Sequence, residues 1–95
     1  MVRNGTALED PGDYYEALRP YGITKREAQV ARLLSWHHTY AEIAEVVNRS
    51  ESEVKRRARN LRMKLGANNK RELGNRVRRA TRVYRANKEK ASYSE

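Results

Sequence analysis

The sequence predicts an all-α domain: four helices built around a helix-turn-helix, behind a short N-terminal extension. A short polar residue followed three positions later by Glu occurs four times, at Thr24/Glu27, Thr39/Glu42, Ser50/Glu53 and Asn69/Glu72. In such a pair the first side chain accepts a backbone N–H that a new helix leaves unpaired, and the Glu reaches back. Each pair is followed by apolar residues at helical spacing, and no segment alternates as a strand does. The second and third of these helices are joined only by Asn48-Arg49-Ser50, a connection short enough to force the steep crossing of a helix-turn-helix.

Residues 1–22 form the extension. Asn4-Gly5 and Asp10-Pro11-Gly12 are turn signals. Residues 13–19 have room for one short helix, ended by Pro20 and Gly22. Asp10, Asp13 and Glu16 make an acidic patch, read as solvated. The first predicted helix runs from about Lys25 to Trp36 and buries Val30, Leu33 and Leu34. The second runs from about Tyr40 to Val47 and buries Ile43, Ala44 and Val47. Asn48 suits the left-handed turn position that follows, which Asn tolerates better than most residues. The third runs from Glu51 to Leu65, with Gly66 as its stop. The fourth starts near Lys70 and extends toward or past Tyr84. The helical domain is therefore placed at 23–86, and residues 87–95 are read as a flexible tail.

Ninety-five residues carrying a net charge of +9 suit one small domain with an affinity for polyanions. The charge is unevenly placed. Residues 1–22 hold two basic and four acidic side chains, residues 23–66 ten and five, and residues 67–95 nine and three. There is no cysteine and hence no thiolate metal site, and His37 and His38 are the only histidines. They are expected to close the first helix in solvent rather than to bind metal. No cofactor loop, signal peptide or bilayer-length apolar run appears, and there is no nucleophile–base set, so neither an enzyme nor a membrane protein is expected. Trp36 and Tyr40 are read as packing residues.

The third helix carries the main functional signal. Val54, Ala58, Leu61 and Leu65 form an apolar seam, and Lys55, Arg56, Arg59 and Arg62 lie on the other side. Residues 54–65 include six basic side chains and no acidic one, so no i,i+4 partner within that stretch is expected to neutralise them. A helix of this kind fits the major groove of DNA.

The run from Ile23 to Leu73 resembles the LuxR–GerE family of bacterial helix-turn-helix transcription factors. The marks are Ile23-Thr24 with Arg26-Glu27, Val30, Leu33-Leu34, Glu42-Ile43-Ala44, Ser50, Val54-Lys55, Asn60, Lys64-Leu65-Gly66 and Glu72-Leu73. The resemblance implies a four-helix DNA-binding domain whose third helix enters the major groove and whose fourth makes a dimer. Carried over by position, Lys55, Arg56 and Arg59 are the expected base readers. Thr24, Thr39, Ser50, Ser52 and Lys64 are expected to hold phosphate, and Arg62 and Lys70 join that set. Leu73, Val77, Ala80 and Tyr84, spaced by four, three and four, form an a/d-like seam read as the homodimer interface. Several positions depart from the family pattern. Ala31 and Ala58 stand where larger apolar residues are usual, Arg49 replaces an apolar residue, His37 replaces a Gly, and Arg57 replaces a frequent His. The two alanines thin the core, so Tyr14, Tyr15 or Leu18 is expected to fold back and cover it.

The leading expectation is sequence-specific binding of double-stranded DNA and transcription regulation in the bacterial cytoplasm, at the nucleoid, as a homodimer with no small-molecule ligand. With twenty-two residues before the first helix, no receiver or ligand-binding domain is expected. Two alternatives stay open. One is a non-specific, architectural nucleic-acid binder. The other is an interaction module that pairs with RNA polymerase or a larger regulator, since a promoter-binding sigma domain has a similar helical outline.

Overall fold

The computed structural model describes residues 11–93, and all of their regular structure is helical. The elements are α1 (Pro11–Leu18), a single 3-10 turn (Arg19–Tyr21), α2 (Lys25–Ser35), α3 (Tyr40–Val47), α4 (Glu51–Leu65) and α5 (Lys70–Tyr93). Asp10 and the last two residues of the expected tail lie outside this range.

The helix starts follow the local chemistry, with two differences. Thr24 and Thr39 form complete capping boxes with Glu27 and Glu42. Ser50 Oγ accepts the Glu53 N–H at 3.1 Å, but the Glu53 carboxylate turns forward to Arg56 and Arg57 instead of back to the cap. Asn69 Oδ1 accepts the Glu72 N–H at 2.8 Å, and the Glu72 carboxylate accepts from the Asn68 N–H.

The helix ends share one device. At α2 the His37 N–H bonds the Leu34 carbonyl and the His38 N–H bonds that of Leu33, with His37 at φ 64°. At α3 the Asn48 N–H reaches Glu45 and the Arg49 N–H reaches Ala44, with Asn48 at φ 56°. At α4 the Ala67 N–H reaches Arg62 across Gly66 at φ 69°. Each is a left-handed residue that lets the last carbonyls find donors.

α2 lies at the centre, in contact with all four other helices. Its Val30, Ala31 and Leu34 are almost fully buried among Ile43, Val54, Ala58, Leu61, Leu73 and Val77. The expected fold-back occurs. α1 packs on α2 and α5, Leu18 is fully buried, Tyr14 nearly so, and Tyr15 packs at the edge of the core. The extension is thus part of the hydrophobic core rather than an appendage to it. The tail differs from expectation too: α5 continues as helix through Tyr93.

α1 also changes the meaning of the α5 seam. Leu73 and Val77 are fully buried within the chain, so they cannot face a second copy. Ala80 and Tyr84 are half-buried and line a groove of about 680 Å³ with Ala17, Pro20, Tyr21, Leu65 and Val83, rimmed by Arg76 and Arg79. Nor is Asp13 part of a solvated patch. It is buried, and it receives Arg85 Nε and Lys88 Nζ, each at 3.0 Å.

Candidate nucleic-acid interface

α4 is set by its neighbours before it meets any ligand. Val54 and Leu61 are fully buried and Ala58 nearly so, and α2, α3 and α5 hold that side. One ion pair and one side-chain hydrogen bond flank the basic stripe. Lys64 Nζ crosses to α2, giving one hydrogen bond to Glu27 Oε1 at 2.7 Å and one to the Gly22 carbonyl at 2.9 Å. Arg62 Nη1 donates to the Asn68 carbonyl at 3.3 Å and braces the α4–α5 loop. Both cations have partners within the chain, and Lys64 in particular ties α4 to α2.

Glu27 reports the strength of that tie. Burial raises its carboxyl, but the hydrogen bonds from Lys64 and from the Thr24 N–H outweigh burial and leave its pKa below the ordinary value. Glu53 is held down chiefly by the hydrogen bond from Arg56.

The three expected base readers, Lys55, Arg56 and Arg59, are exposed on the outer side of α4. The helix does, however, supply acidic neighbours from its first turn. Lys55 lies 3.8 Å from Glu51, and Glu53 Oε2 takes Arg56 at 2.7 Å and Arg57 at 2.8 Å. The expectation of an unneutralised stripe is corrected to that extent: Glu51 and Glu53 stand just before the basic run. Among the described residues Arg59 has no ion pair. Exposed pairs of this kind are weak and screened by salt.

The expected phosphate contacts Thr24, Thr39, Ser50 and Ser52 are all exposed. The first three hydroxyls accept the Glu27, Glu42 and Glu53 N–H groups. An accepting hydroxyl still has its own hydrogen to give. Lys70, at the start of α5, lies 4.9 Å above the Tyr40 ring, which holds its ammonium at a fixed height beside the helix-turn-helix. Trp36 is half exposed, with the Arg78 guanidinium 5.6 Å from its ring centre.

Sequence reasoning missed Met63. It is 76% exposed and sits one turn beyond Arg59 on the same helix side. An exposed apolar tip inside a basic stripe is suited to a thymine methyl or a sugar edge; the outward angle of position 63 relative to the Val54–Leu61 seam was the available signal.

Comparison with known proteins agrees with this geometry. The family model for bacterial regulatory proteins of the LuxR family matches residues 22–76, more than half of the chain. Neither the curated proteins nor the solved structures gave a match. No helix among the described residues is long and apolar enough to cross a membrane. The family match covers α2, α3, α4 and the start of α5, so the chain belongs to the LuxR family of DNA-binding transcription regulators.

Proposed function

We propose that α4 enters the major groove of double-stranded DNA and reads a specific sequence, with two copies on a two-half-site operator. The observation that carries this reading is the division of α4 itself. One side is buried to completion at Val54 and Leu61, while Lys55, Arg56, Arg59 and Met63 all point away from the core. Arg59 is the leading base reader, because among the described residues it has no carboxylate to leave. Lys55 and Arg56 read bases or hold phosphate after releasing Glu51 and Glu53. Thr24, Thr39, Ser50, Ser52 and Lys70 supply phosphate contacts around them, as hydroxyl donors and one ammonium. Lys64 and Arg62 act indirectly by holding α4 in place.

The second copy meets the first through the exposed side of α5 at Ala80, Val83 and Tyr84. Arg76 and Arg79 rim the same groove together with Glu16 and Glu72, and Arg76 lies 3.7 Å from Glu72.

Protection of guanine N7 from methylation tests the groove assignment, because N7 lies in the major groove. Two protected clusters one helical turn apart are expected, as for other two-fold helix-turn-helix dimers. Protein bound at saturation with every N7 still reactive would contradict entry into that groove.

A further inference from the structure

We infer that Arg26, Arg49 and Arg57 form a phosphate-binding cleft on the flank of α4. The three come from different elements: the first turn of α2, the α3–α4 turn, and the middle of α4. They line one cleft of about 230 Å³, whose remaining walls are Gln29, Val30 and Val47. No carboxylate lines it. Each volume share of liquid water is about 30 Å³, so the cleft holds a small oxyanion with some of its hydration.

The cations around it are poorly compensated. Among the described residues Arg26 has no ion pair, and Arg49 gives a hydrogen bond only to the Asn48 carbonyl of its own turn, at 3.1 Å. Arg57 is the least exposed, with 19% of its side chain accessible; it is the best compensated of the three, holding Glu53 Oε2, which it shares with Arg56, and acting on Glu27 through its charge. Three guanidiniums facing a cleft with an apolar floor repel one another across a reduced dielectric. A tetrahedral oxyanion reverses the sign of that interaction, and the planar guanidinium fork matches its edges two oxygens at a time.

The three arginines stand apart in the sequence, at 26, 49 and 57, and the fold brings them to one cleft. The phosphate has two possible sources, a backbone phosphate of bound DNA or a free phosphate group. The first rests on the proposed function; the second does not.

The test uses the full chain and Arg49→Ile, which leaves Asn48 and Ser50 of the turn in place. Thermal melts are run at constant ionic strength with inorganic phosphate replacing chloride. General salting effects act on both proteins equally, so the difference between them reads the cleft. In parallel, duplex affinity is measured against salt. A free-phosphate site is shown if phosphate raises the wild-type Tm by roughly 3 °C more than that of the variant. A DNA-phosphate site is shown if the variant's slope of log affinity on log salt is shallower by about 0.9, one phosphate's worth. Identical melts and identical slopes overturn the cleft even where duplex binding is intact. If the wild-type chain binds no duplex, the functional proposal fails and the melts alone decide the cleft. Arg26→Gln, at an exposed helical position, repeats both measurements should Arg49→Ile unfold.

Discussion

At Gly74 the absence of one carbon sets how closely α5 approaches α2. A Cβ there would lie 2.9 Å from the Leu34 carbonyl oxygen and 3.6 Å from the Ser35 Cα, both backbone. Ala is the better helix former by about 1 kcal/mol, yet backbone cannot swing aside as a side-chain tip does. Gly74→Ala should therefore destabilise the domain, by about 1–3 kcal/mol as overpacked sites do; urea denaturation measures it, and a gain in stability would contradict the close approach. His37 presents the opposite case. It holds φ 64° at the end of α2, a region that costs a non-glycine residue about 1–2 kcal/mol. His37→Gly relieves that strain but loosens the unfolded chain, so a net gain of about 0.5–1 kcal/mol is expected. Any loss in the same denaturation experiment would mean that the imidazole contributes a contact of its own.

Among the elements, α1 lies outside the family match and yet builds part of the core. Leu18 and Tyr14 are buried against α2 and α5, and Asp13 is clasped by Arg85 and Lys88. Leu18→Ala should cost about 2–5 kcal/mol, and a smaller loss than 1 kcal/mol would mean that α1 detaches freely. The acid limb of stability follows from the same clasp. Burial raises the Asp13 carboxyl, but hydrogen bonds from Lys88 and Arg85 win, so its folded pKa lies below the ordinary value; Glu27 behaves alike through Lys64. A depressed folded pKa means that the stabilisation is complete above the unfolded pKa values of about 3.9 and 4.3. It is lost as pH falls through the folded ones. Tm should be level from pH 7 to about 5, then drop, and Asp13→Asn should shrink the drop. An unaltered acid limb in that variant would contradict the clasp. Lys64→Ala should likewise lower Tm, because it leaves buried Glu27 without its cation.

The same elements show what could be read beforehand. Caps are local, so Thr24, Thr39, Ser50 and Asn69 announced four helices. The Glu53 exception arises because two arginines, three and four residues on, compete for one carboxylate. The small Ala31 and Ala58 predict the return of Tyr14 and Leu18, but α1 packs on α2 and α5 rather than on α4, which carries Ala58. Spacing alone could not say that Leu73 and Val77 are covered within the chain, which shifts the outward part of α5 to Ala80, Val83 and Tyr84. Lys64 and Glu27 are thirty-seven residues apart, and Gly74 meets Leu34 only in the folded chain. Such contacts leave no periodic trace.

For the whole molecule, basic charge is divided between internal ties and an outward face. Lys64, Arg85 and Lys88 stabilise the fold, while Lys55, Arg56 and Arg59 remain exposed. Val83→Glu, in the α5 groove, should reduce binding to a two-half-site duplex while leaving single half-site affinity nearly unchanged. Equal effects on both would argue against a second copy at this face. The most direct test of the central claim, that α4 presents a sequence-reading edge, compares duplexes selected from a random pool by the wild-type chain and by Arg59→Ala. The wild type should enrich a defined site, and the variant should lose preference at one base position of each half-site, by about 1–3 kcal/mol of discrimination. Enrichment of no site, or the same site with undiminished preference at every position, would contradict it.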